Sequence, residues 1–228
     1  MKKIAAISLT VFSVSMAHAG FGLSNLASNV TQSVVGTSSA TSVNVGDFLT
    51  QARATNYLFQ QSRAALAAAI STGTDSKEIQ TKLATLSKTS NLQEKDAQIK
   101  ELAKLSETVL SAAKKDENQT LEQLKTLSAQ KKQYLLGAAK NYAIAALMAK
   151  DLAQGSKQVS MTIASNPQSL VSTGMNLTSA QGLVSDVGGI AKNSSMALVE
   201  VPQLFKKAGI DFQVPTSAKT KPIDLNNL

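Results

Sequence analysis

Serine and lysine recur at the S-x-x-K spacing twice, in Ser111-Ala112-Ala113-Lys114 and Ser128-Ala129-Gln130-Lys131. On a helix this spacing lets an amine take the proton of a hydroxyl one turn away, the first requirement of serine/lysine acyl transfer. The companion S-D-N and K-T-G elements that complete such sites are absent, and so is the strand pattern that would carry them. Two carboxylate pairs, Glu94 with Asp96 and Asp116 with Glu117, lie in charged segments without the apolar surroundings that raise a carboxyl pKa for general-acid work. The single histidine is His18, and cysteine and tryptophan are lacking. Nucleophile–base pairs built on imidazole or thiolate are therefore excluded, as is a zinc site of the usual type. No glycine-rich phosphate loop, EF-hand loop or dinucleotide fingerprint occurs. The expectation is a protein without catalytic residues, metal or cofactor.

The beginning of the chain reads as an export signal. Lys2 and Lys3 precede an apolar run from Ile4 to Met16, and Ala17-His18-Ala19 offers small residues at the two positions a signal peptidase reads. Residues 1–19 are thus expected to be a cleaved signal peptide, with the remainder in a bacterial periplasm or, alternatively, secreted or at the cell surface. The apolar run is short for a bilayer, and no later stretch reaches the length of a span. An integral membrane span is therefore not expected, although peripheral membrane contact is compatible with the basic charge. Loss of Lys2 and Lys3 lowers the formal charge from +8 to +6. That charge is nearly all lysine interspersed with acids, and only Arg53 and Arg63 offer planar forks for phosphate. No nucleic-acid partner is expected from so dispersed a pattern.

Positioning falls to helices. Leu121, Leu124, Ser128, Lys131, Leu135, Ala138, Tyr142, Ala145, Ala149 and Leu152 step by three and four, a coiled-coil-like stripe on one long helix of about residues 117–154, closed by Gly155. Earlier, Asp47 suits the N-cap of a helix running to about Thr72, with Phe48, Ala52, Thr55, Phe59, Ser62, Leu66 and Ala69 inward. Arg53 and Arg63 lie off that stripe and are expected to pair with an acidic neighbour on the next helix. Asp75/Glu78 and Asn91/Glu94 repeat a capping-box signature, which predicts a kink or a restart near Asn91 rather than one straight rod over residues 75–115. Asn166-Pro167 starts another element, Gly188-Gly189 predicts a break, and Val201 to Lys207 a last short helix ended by Gly209. The whole is an all-α helical bundle of about five to seven helices over residues 47–208. A flexible Ser/Thr-rich arm (20–46) precedes it, and an extended tail (209–228) that frays after Thr216 follows.

From Gln158 to Phe205 only Asp186, Lys192 and Glu200 are charged. Such a segment belongs either to the bundle core or to the wall of a cavity for an apolar ligand, with Met161, Met175, Leu183, Met196 and Tyr142 as adaptable lining. The sequence therefore points first to a non-enzymatic binding protein of the bacterial cell envelope, engaging an envelope partner through the bundle surface. The alternative is a periplasmic carrier of a lipid or other apolar small molecule.

Overall fold

The computed structural model describes residues 44–71 and 74–225. The signal peptide and nearly all of the arm expected before the bundle lie outside these residues. Seven α-helices follow in order: α1 (Val45–Ile70), α2 (Thr74–Lys88), α3 (Leu92–Lys115), α4 (Glu117–Thr126), α5 (Ala129–Ser165), α6 (Leu177–Lys192) and α7 (Val201–Lys207). A 3-10 segment, Pro167–Thr173, joins α5 to α6, and a wide π turn, Met196–Glu200, leads into α7. No strand occurs among the described residues. The chain is an all-α bundle, and no described helix is long and apolar enough to cross a membrane.

The helix enclosed by the others is α1. It packs chiefly on α5 and also touches α2, α3, α6 and the 3-10 segment. Asn44 rather than Asp47 caps it, its Oδ1 accepting from the Asp47 amide at 3.2 Å. Small residues make the fit to α5 close: Ala64, Ala67, Ala138, Ala143, Ala145, Ala146 and Ala149 are all sealed from solvent. Phe59 meets Tyr142 with ring centroids 4.6 Å apart, and Phe48 lies beside Gly155. These two contacts fix α1 and α5 as antiparallel. Arg53 and Arg63, by contrast, meet Asp96 and Glu107 on α3, so α1 and α3 run in the same direction.

The rod expected over 117–154 is two helices. Leu127 and Ser128 are extended, and the Ser128 hydroxyl caps α5 by accepting from the Lys131 amide at 3.4 Å. A serine that can satisfy an orphan amide competes with helix continuation, and the three-four spacing of the apolar residues conceals the interruption. Nor does Gly155 end the helix: α5 continues to Ser165. Gly188 and Gly189 likewise sit inside α6, where burial of Leu183, Val184, Val187 and Ile190 outweighs their cost of about 1 kcal/mol each relative to alanine. The restart at Asn91 is present, with Asn91 Oδ1 accepting from the Gln93 and Glu94 amides. Gly209 ends the run of α7 at φ 72°, a conformation that favours glycine.

The tail does not fray after Thr216. Asn141, wholly buried in α5, donates Nδ2–H to the Ile223 carbonyl and accepts from the Ile223 amide, both at 2.7 Å. This two-point clamp holds the extended segment down as far as Leu225, which is buried. Phe212 packs edge-on to Phe205 farther up.

Candidate functional site

The residues first suspected of chemistry hold structural positions. Ser111 donates to Glu107 at 3.2 Å, while Lys114 forms an ion pair with Glu200 at 2.8 Å. Ser128 is the cap described above. Asp116 caps α4, and Glu117 pairs with Lys207 at 2.5 Å. Asp96 accepts from the Tyr57 hydroxyl at 2.6 Å and lies 3.5 Å from Arg53. Burial, reinforced by that carboxylate, pushes the Tyr57 phenol well above its ordinary value. No described group of three or more acids is placed to hold a metal ion.

Among the concavities of the described residues, two lie between bundle helices, apart from one of about 480 Å³ between α7 and the tail. The first is an apolar groove of about 310 Å³ at the end of the bundle where α1, α3 and α7 converge. Leu66 and Ile70 come from α1, Leu110 and Ala113 from α3, and Val201, Leu204 and Phe205 from α7. Two ion pairs, Lys114–Glu200 and Lys207–Glu117, tie the far wall of this groove to α3 and α4. The π turn makes that wall possible. Pro202 has no amide hydrogen, and its ring would crowd the carbonyl four residues back; the widened turn, with the Val201 amide bonded to the Met196 carbonyl, relieves the crowding.

The second concavity is a larger, polar cleft of about 840 Å³. Its walls are α3 and α6, which both pack on α1 but scarcely on each other. Its floor is the Asn56, Phe59, Gln60 and Arg63 face of α1, with Tyr142 of α5 below. Arg63 pairs with Glu107 through one end of its guanidinium, yet its Nε–H has no partner among the described residues, and neither has Gln60 Oε1. Leaving such atoms enclosed and unpaired costs about 1–3 kcal/mol each. Burial lowers the Arg63 pKa and pushes the Tyr142 phenol up to about 12. Asp186, on the α6 wall, is raised by desolvation, with Lys100 opposing and Asp96 adding to the rise.

The five residues expected to line an apolar cavity do not gather around one. Tyr142 and Met196 border the polar cleft, and Met196 also reaches the groove. Leu183 is buried in the core beside α1 and α5, and Met175 packs against that core from its edge. Met161 is 57% exposed and points away from it. The low charge of residues 158–205 reflects the buried face of α6 and the small polar residues of its outer face. The groove instead draws on Leu66, Leu110 and Leu204, whose apolar character is indistinguishable in sequence from that of core neighbours. Compared with family models, curated proteins and solved structures, the chain matches none of them.

Proposed function

We propose that this chain is an exported, non-enzymatic binding protein of the bacterial cell envelope, engaging a protein partner through the apolar groove at the α1/α3/α7 end. The observation that carries the reading is the combination of a filled α1–α5 seam with an open apolar groove whose wall is held by ion pairs. The α1–α5 seam is closed by buried alanines, whereas the open groove presents preformed apolar area to a docking segment. Its bordering charges, of both signs, suit an apolar or amphipathic segment flanked by charged residues. The groove side chains that serve this role are Leu110, Leu204 and Phe205, with Met196 as an adaptable edge.

A second reading, a carrier of a lipid or apolar small molecule, draws on the same groove, whose volume lies at the small end of ligand pockets, roughly 300–1,000 Å³. One experiment separates the two. The protein and its Leu204→Asp variant are recovered from envelope extract, and each is examined by native mass spectrometry. The interaction reading expects a stoichiometric protein complex with the wild type that Leu204→Asp loses. A bound lipid mass, lost in the same variant, would move the assignment to a carrier. Recovery of the same species with both chains would remove the groove from either account.

A further inference from the structure

We propose that the polar cleft between α3 and α6 is a second binding site, separate from the apolar groove, for a short peptide with free termini. Opposite charges face each other across its two walls without closing an ion pair. Lys100 and Lys104 on α3 form no ion pair with any described residue, and neither does Asp186 on α6. The other acids of the cleft are engaged, Glu107 by Arg63 and Glu200 by Lys114. A molecule bridging the walls thus needs a negative group toward α3 and a positive group toward α6, which a peptide supplies with its carboxylate and its ammonium.

Beneath the floor, Gln60 donates one amide hydrogen to Asn56 Oδ1 at 3.4 Å, and its Oε1, like the Nε–H of the nine-tenths buried Arg63, is enclosed without a partner among the described residues. A peptide unit that displaces the side chains covering this pair finds an acceptor and a donor a turn apart on one helix face, matching its N–H and C=O. Phe59 and Tyr142 form an apolar patch beside them for a side chain. The volume of about 840 Å³ is generous for a single amino acid and suited to two or three residues. Gly189 keeps the α6 wall open: a Cβ built there meets nothing within 4 Å.

Titration calorimetry of the purified protein with trialanine, and with trialanine acetylated and amidated at its ends, tests the assignment. Trialanine should bind saturably and the blocked peptide at least tenfold more weakly. Asp186→Asn and the double variant Lys100→Gln/Lys104→Gln should each weaken trialanine at least tenfold. Gly189→Leu should abolish binding by filling the cleft, with circular dichroism unchanged. Leu204→Asp, in the groove, should leave trialanine binding intact, so this site stands or falls independently of the proposed partner interaction. Absence of saturable trialanine binding overturns the proposal, as does equal affinity for the blocked peptide. Unchanged affinity in Gly189→Leu also overturns it; should that variant fail to fold, the charge variants at the exposed mouth decide.

Discussion

The two sides of α1 are buried by different means. Toward α5, buried alanines and the Phe59–Tyr142 ring pair make the contact, with Thr55 and Ser62 the polar residues enclosed on the same stripe. Toward α3 and α6, the same helix turns Asn56, Gln60 and Arg63 to a cleft, with polar atoms left unpaired. Every enclosed side-chain polar atom without a partner among the described residues belongs to α1 or to Ser71 at its C-cap. A helix chosen for stability alone would not concentrate such costs, since apolar groups of the same shape would be neutral or better. Two of these atoms, Gln60 Oε1 and Arg63 Nε, belong to residues that line the cleft, while the Thr55 and Ser62 hydroxyls share the stripe of Phe48 and Phe59 toward α5. The cleft face is set apart by its open volume and by the binding role proposed for it.

This contrast can be broken by mutation. Phe59→Ala, on the ring pair with Tyr142, should cost about 3–5 kcal/mol by chemical denaturation, the usual penalty for emptying a large aromatic site. A loss under about 1 kcal/mol would mean that the seam is not the main source of stability. High pH attacks the same place. A tyrosine whose folded pKa is raised from 10.0 to about 12 contributes fully below pH 10. Above that the unfolded chain releases its proton first, so the denaturation midpoint should fall between pH 10 and 12 and tyrosinate absorbance should appear only with unfolding. A midpoint flat across that window would contradict the burial of Tyr142.

Smaller effects sharpen the other side. Gly188→Ala has open space for its methyl and removes a helix-interior glycine, so it should stabilise by up to about 1 kcal/mol, read as a higher Tm. Arg63→Met retains the apolar stem and discards the unpaired Nε–H, while Glu107, 58% exposed, returns to water. Its expected effect is within about 0.5 kcal/mol of zero. A cost comparable to Phe59→Ala would erase the distinction between the two faces.

Much of the architecture was legible because helix periodicity and caps are local. The restart at Asn91 and the short helix from Val201 follow from spacing and residue type, as does the ion pairing of Arg53 and Arg63, although their partners lie on α3 rather than on the next helix, α2. What stayed hidden depends on distant partners or on competition between equal local choices. Ser128 fits a helix face and a helix cap equally well, so the break before α5 leaves no trace in the stripe. Asn141 reads as one more polar residue until Ile223, 82 positions on, closes both of its hydrogen bonds. The sites were less legible still. Asn56, Gln60 and Arg63 share a face at four and three residues' spacing, a signal present in sequence but drowned by the solvated polar faces around it. Nothing local marks Met161 as exposed and Met196 as lining two concavities, because side-chain surroundings are set by α1, α3 and α7 together.

The proposal that the groove is a docking surface is tested most directly in living cells, with a photoreactive amino acid placed in turn at Leu204 and at the exposed Lys157, two residues past Gly155 at the opposite end of α1. The account predicts a discrete cross-linked adduct from position 204, lost when Leu110→Asp is added, and none from position 157. No adduct at 204, or the same adduct from both positions, would contradict it.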